Sequence, residues 1–274
     1  MNVYSTGLTG TIGKHLPPSV KPIDLNLLAP IQSFRSIDMA SNSVVIHLAA
    51  VVGEDKVLKH GNLSESINVL GSEKLGKICI EKNIKKLIYI STSHVYNFSD
   101  KFLTEESLIQ PISNYAKQKY MGEIALQSMY SNTPEKLCIV RVFSLLDWNM
   151  PDFTLGGSIQ KLLKGGGEFK LKYGKDVRDF LTPRQTAKAI FSIAKNKNVF
   201  GIVNLCSSDP LSVYDAAVKL LGKYGTSSLL DAIENNISEI PRIVGCNLKI
   251  KSIMPTIDLT WKPTPMLQYA RAHY

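Results

Sequence analysis

Three runs of strand length, SVVIHLAA at 43–50, KKLIYIST at 85–92 and KLCIVRVF at 136–143, are apolar almost throughout instead of alternating with polar residues. A strand without a polar face must be covered on both sides, which is the condition of a parallel sheet wrapped by helices. The segments between the runs supply those helices. ESINVLGSEKLGKICIEKN at 65–83 and SNYAKQKYMGEIALQSMYSN at 113–132 carry apolar residues at three- and four-residue spacing. The pattern predicts an α/β fold built on a doubly wound parallel sheet.

The chain has 274 residues, 44% of them hydrophobic and 20% charged, enough to bury one large core or two unequal lobes. No apolar run approaches the ~18 residues of a membrane span, and the N-terminus carries no signal-peptide pattern, so a cytoplasmic protein without a membrane partner is expected. Cys79, Cys138, Cys206 and Cys246 form no CxxC pair and have no histidine at ligand spacing, which predicts core thiols and no metal site. The formal charge of +9 is spread along the chain instead of gathered in a basic tract with interleaved aromatics. It points to an anionic metabolite and away from nucleic acid.

Residues 1–6 (MNVYST) read as a first strand running directly into Gly7, Gly10 and Gly13. Glycines between a strand and a helix allow a tight turn and let a pyrophosphate approach main-chain N–H groups at a helix N-terminus. That placement makes the sheet Rossmann-like. Pro17 and Pro18 must end the following helix near Leu16. Each crossover between parallel strands takes at least ~10–12 residues, so the first 50 residues hold only one intervening strand, VKPIDL, and this end of the fold is shortened. Asp24 then has two readings. It is an acid at the end of the second strand, ~20 residues past the loop, where it would bind the adenosine ribose, or it is the cap of a helix over LNLLAPIQSF. After about residue 147 the rhythm becomes loop-rich. The expected organisation is a dinucleotide-binding domain over 1–147, rejoined at about 184–206, and a smaller substrate lobe formed mainly by 148–274.

Tyr115 and Lys119 in SNYAKQK lie four apart, on one face of a helix. A phenol ionises near pH ~10, and an adjacent ammonium favours the phenolate, so such a pair can exchange a proton with a sugar hydroxyl or carbonyl. The bland alternative is a solvated lysine-rich face. IYISTSHVYN at 88–97 ends in a hydroxyl cluster where doubly wound folds bind ligands, and Thr92 there could hold a reacting oxygen.

The ordered set TGLTGTIG, VIHLAA, INVLGS, IYISTSHVY, YAKQK with Glu123 behind it, VRDF and DLTWKPTP resembles the extended short-chain dehydrogenase/reductases, in their nucleotide-sugar epimerase/dehydratase branch. The resemblance spans essentially the whole chain. It implies NAD or NADP as cofactor, a nucleotide-diphosphate sugar as substrate and a homodimer joined through the Tyr115 helix and the helix near 65–83. It implies Thr92, Tyr115 and Lys119 as catalytic residues. Thr11 and Ile12 would lie on the pyrophosphate and Leu48, Ala49 and Ala50 along the cofactor. Asn68 would support the nicotinamide side, as would Phe143, unless Phe143 is simply core. Arg178 would hold the substrate diphosphate, unless it pairs with Asp179.

Ser93 and His94 stand where the family's 4,6-dehydratases carry an Asp–Glu pair, which disfavours water elimination. Asn97 replaces a glycine, Ser144 replaces an asparagine near the substrate phosphate, and Arg184 and Gln185 replace acids. Asp24 could instead belong to the Asp-hydrophobic pair that contacts adenine from a third strand, leaving NAD versus NADP open with Arg35 nearby. The implied activity is that of a nucleotide-sugar 4-ketoreductase or epimerase. The alternative is a non-catalytic dinucleotide-binding regulator or scaffold.

Overall fold

A computed structural model describes residues 1–164, 171, 173–221 and 238–264. Six parallel strands form the main sheet: β1 (Val3–Thr6), β2 (Val20–Pro22), β3 (Val44–His47), β4 (Lys86–Thr92), β5 (Leu137–Val142) and β8 (Gly201–Leu205). Their order is β2-β1-β3-β4-β5-β8. The chain leaves β1 for β2 on one side and returns to β3 on the other. The strand ends of β1 and β3 therefore flank a crevice at a topological switch point.

Helices cover both faces, as the all-apolar strands require. On one face α1 (Ile31–Arg35), α4 (Gly71–Glu81) and α5 (Asn114–Met129) bury Phe34, Leu75, Ile78 and Leu126 against Val45, Leu87 and Ile139. On the other, α7 (Pro183–Lys195) and a last helix, Leu248–Ile253, bury Ile190, Ile193 and Ile250 against Ile46, Ile88 and Val140. Between β3 and α4 run two short helices, α2 (Glu54–His60) and α3 (Asn62–Glu65), and a π-helical turn, Ser66–Leu70.

A second sheet has the order β10-β7-β6, made of β6 (Ser144–Leu145), β7 (Val177–Leu181) and β10 (Arg242–Ile243), with β9 (Pro210–Ser212) antiparallel on β7. Beside it α6 (Leu155–Leu163) and α8 (Val213–Leu221) enclose Trp148, Phe180 and Trp261. The glycine-rich stretch at 165–167 lies outside the described residues, as does the chain after 264.

The shortened start takes the expected form. A single 3-10 turn, Gly13–His15, follows the glycine loop and stops at Leu16, before Pro17. β2 pairs with β1, and the described residues place no strand outside it. This corrects the third-strand reading of Asp24. The capping reading is corrected too: the next helix begins at Ile31, behind Pro30, and Asp24 is exposed well ahead of it. Cys79, Cys138 and Cys206 are buried free thiols, whereas Cys246 is half-buried. Asn97 does not adopt a positive φ, so the tolerance of asparagine for that region is not needed there.

Candidate functional site

At the mouth of the crevice the glycine loop is dictated by space and backbone handedness. Gly7 has φ +68°, and a Cβ there would stand 2.7 Å from the Ala49 nitrogen. A Cβ on Gly13 would stand 2.2 Å from the Gly7 carbonyl oxygen. Gly10 donates its N–H to that same oxygen at 3.1 Å. Side chains at 7 or 13 would force the loop open, so these glycines keep the backbone tight against the β3 end. Thr11 and Ile12 are half-exposed on its rim. A tight glycine turn directly after β1, at the switch point, fits a dinucleotide pyrophosphate.

Beneath the loop runs a buried polar chain. The N–H groups of Leu48 and Ala49 donate to Thr6 Oγ1 at 3.2 and 3.1 Å. The Thr6 hydroxyl proton must then go to His47 Nδ1, 2.8 Å away. His47 Nε2–H donates to Ser72 Oγ at 3.0 Å, and Ser72 donates to the Asn68 carbonyl at 2.7 Å. The order assigns the neutral Nε2–H tautomer. Burial, helped by the charge of Lys119, pushes the His47 pKa down to about 3. Leu48, Ala49 and Ala50 line the crevice half-buried, with the first two N–H groups already engaged.

Asn68, in the π-helical turn, accepts from Val51 N–H at 2.8 Å and donates to Val51 O and Gln118 Oε1 at 3.0 and 2.8 Å. Its amide is consumed in holding the loop after β3. These bonds tie the π-helical turn and α5 to the loop after β3.

Thr92 ends β4, and its hydroxyl accepts the His94 N–H at 3.3 Å. Helix α5 is fastened against this strand at several points. Tyr89 Oη donates to Lys119 O at 3.3 Å, Lys119 Nζ lies 3.9 Å from the Tyr89 ring centroid, and Ser91 donates to Glu123. Glu123, fully buried, also takes a two-nitrogen contact from Arg141 on β5, at 2.6 Å from Nη2 and 3.1 Å from Nε. A Cβ on Gly122 would come within 2.4 Å of Tyr89 Oη, so only glycine permits this approach. At the start of α5, Glu54 accepts the N–H groups of Asn114 and Tyr115 at 3.1 and 2.9 Å. The carboxylate completes the helix N-terminus beside Tyr115.

The ionisable pair differs from the free-solution picture. Burial pushes Tyr115 up to about 12, while burial pushes Lys119 down to about 7 against the opposing pull of Glu123. At neutral pH the resting phenol is protonated and the lysine stands near its midpoint.

Across the crevice Arg178 donates to Asp176 Oδ2 at 2.9 Å and to Val177 O at 3.0 Å. Its ion partner is Asp176, which corrects the pairing with Asp179. Asp179 is buried and accepts from Ser207, Ser208 and Gly245 instead. Ser93 is buried, whereas His94 is exposed to solvent. Ser144 is half-buried in β6 beside β7. Phe143 is core: it packs with Val95, Tyr96, Leu103 and Cys206, and a Cβ on Gly245 would press into its ring at 2.6 Å.

Thr6, His47, Glu54, Tyr89, Gln118 and Arg141 were not anticipated from the sequence. The signal available for three of them was a polar residue inside an apolar strand run: VYST, VVIH and LCIVRV. Among the described residues no cluster of three metal-ligating side chains occurs, and no helix is long and apolar enough to cross a membrane.

Three comparisons bear on this geometry. A dTDP-D-glucose 4,6-dehydratase of Dictyostelium discoideum is 26% identical over 212 residues, covering 73% of this chain and 48% of the relative, so the chain spans about half that protein's length. A protein named an uncharacterised UDP-glucose epimerase from Bacillus subtilis is 24% identical over 249 residues, 78% of this chain and 79% of the relative. The solved structure of MoeE5 in complex with UDP-glucose and NAD superposes with a TM-score of 0.78 over 100% of both chains at 19% identity, a likeness of fold. The model of the RmlD substrate binding domain matches residues 1–243. By that match the chain belongs to the RmlD substrate-binding-domain family, within the extended short-chain dehydrogenase/reductases of the nucleotide-sugar epimerase/dehydratase type.

Proposed function

We propose that this protein is an NAD(P)-dependent nucleotide-sugar oxidoreductase, a 4-ketoreductase or epimerase. The observation that carries the reading is the fastening of α5 onto β4, the strand that ends at Thr92; Tyr115 and Lys119, in the first half of that helix, would face the same strand end. A binding protein has no use for a tyrosine one helical turn from a buried lysine beside a strand-end hydroxyl. Relatives and neighbours carry the same class of name, and MoeE5 holds NAD and UDP-glucose together.

The cofactor would lie over Gly7, Gly10 and Gly13, with Thr11 and Ile12 at its pyrophosphate and Leu48, Ala49 and Ala50 along its length. It supplies the hydride acceptor or donor. Asp24, just past edge strand β2, would accept from the adenosine ribose, an arrangement that favours NAD. Thr92 would hold the sugar oxygen, and Tyr115, protonated at rest, would give its proton to that oxygen in the reducing direction and take it back in the oxidising one. A protonated Lys119 would stabilise the phenolate formed. Arg178, with guanidinium donors beyond those bound to Asp176 and Val177, would engage the diphosphate. Ser93 and His94 supply no carboxyl pair, so dehydration is not proposed.

A second copy would complete the assembly. Met121 and Ile124 on α5, with Leu63 and Leu70 ahead of α4, form exposed apolar surface that suits a symmetric partner. UDP-, dTDP- and GDP-linked 4-keto sugars offered with NADH or NADPH, and the corresponding sugar nucleotides offered with NAD+ or NADP+, test the activity, read by absorbance and product mass. Net cofactor oxidation identifies a reductase and a new isomer without it an epimerase. Tyr115→Phe should cost at least ~100-fold in kcat, and full turnover by that variant would refute the assignment.

A further inference from the structure

We infer that residues 149–153 form a preformed strap across the cofactor crevice, latched by Lys14 on one wall and by Gly53 and Lys56 on the other. The inference rests on the dinucleotide-binding reading above. Both walls of the switch point are touched by this one short segment. Lys14, in the turn after the glycine loop, donates to Asn149 O at 2.9 Å. On the far wall Lys56 Nζ lies 4.7 Å from the Phe153 ring centroid, and a Cβ on Gly53 would meet that ring at 3.5 Å. A molecule lying between the glycine loop and the loop after β3 would pass beneath the segment.

The strap is shaped by the second lobe, independently of these latches. Trp148 Nε1 donates to Thr264 O at 2.8 Å, and Asp147 Oδ1 accepts the N–H groups of Trp148 and Thr264 at 2.9 and 3.2 Å. Asn149 N–H donates to Gln160 Oε1 of α6 at 3.0 Å. The chain then lies directly on two glycines of α6: a Cβ on Gly156 would stand 2.1 Å from Asp147 O, and one on Gly157 would stand 2.1 Å from Pro151 O. Such contact leaves the backbone little freedom. The segment is therefore a rigid arm of the substrate lobe, and its closure over the first lobe includes the exposed Lys14 hydrogen bond and the Lys56–Phe153 contact. Exposed contacts of this kind can open on the timescale of cofactor exchange. Lys14, Lys56 and Phe153 are positioning residues in this account, acting on how long the dinucleotide stays.

The test is the dissociation rate of NADH and of NADPH from the full chain, followed by nicotinamide fluorescence after mixing with excess oxidised cofactor. Phe153→Ala should release the reduced cofactor roughly two- to fivefold faster, and Lys14→Ala roughly threefold to tenfold faster. Phe153 is 51% exposed, so its removal leaves folding intact, which the thermal midpoint checks. Lys14→Ala also removes a positive charge near the pyrophosphate, an effect that appears in the salt dependence of association; Phe153→Ala carries no such ambiguity. Unchanged release from both variants overturns the strap and leaves the proposed function standing. A wild-type protein that binds neither NADH nor NADPH overturns the dinucleotide reading itself, and the strap with it.

Discussion

Tyr115 and Lys119 illustrate how a motif acquires its electrostatics from its surroundings. Their spacing predicts a lysine that lowers the phenol pKa, yet enclosure raises Tyr115 to about 12 and lowers Lys119 to about 7. In the proposed reaction a phenolate produced at Tyr115 in reduction would need the ammonium form of Lys119. In the reducing direction kcat/KM for the cofactor, which reports the free protein, should therefore fall as pH rises through about 7. Lys119→Arg, charged throughout, should flatten that limb between pH 7 and 9, as a pH-rate profile would register. His47 makes a stability prediction of the opposite sign. Its folded pKa of about 3 lies below its ordinary value of 6.5, so below that value the unfolded chain binds the extra proton. Stability should drop as pH falls from 6.5 towards 3, and thermal midpoints should show a shallower drop in His47→Asn.

At the scale of elements, the proposed trio of Thr92, Tyr115 and Lys119 depends on the attachment of α5 to β4. Gly122 is a requirement that spacing could not reveal, because the demand comes from Tyr89 on another element. Gly122→Ala should destabilise the fold by about 1–3 kcal/mol and lower kcat more than KM rises, measured by denaturant midpoints and steady-state kinetics. The Glu123–Arg141 pair behaves alike: Glu123 was visible only as a family marker behind YAKQK, and its buried contacts with Arg141 and Ser91 depend on the packing of helix, strand and strand. Strands and helices themselves were legible. The run 85–92 becomes β4 (Lys86–Thr92), 136–143 becomes β5 (Leu137–Val142) and 113–132 holds α5 (Asn114–Met129). These elements are long, strongly patterned and capped locally, as by the Ser113 hydroxyl accepting Ala116 N–H.

For the whole molecule the outward face of α5 bears on association. α5 buries Ala116, Lys119, Glu123 and Leu126 against the sheet while presenting Met121 and Ile124 outward, an arrangement that leaves apolar surface on its second side. Ile124→Asp should convert the proposed dimer to monomer, with sedimentation analysis as the readout, and the monomer should retain secondary structure by circular dichroism. A wild-type protein that sediments as a monomer would refute the dimer.

The sequence by itself determined the parallel sheet, the tight glycine turn and its early stop at the two prolines, because these follow from strand polarity, backbone handedness and the proline ring. It also determined which residues were candidates for chemistry. The fate of those candidates was decided by tertiary structure. Phe143 became core, Arg178 took Asp176 instead of Asp179, Asn68 was absorbed in holding Val51, and Asp24 was left at the end of an edge strand. The physical reason is common to all four. A side chain's partners are set by which elements pack against it, and those come from distant parts of the chain.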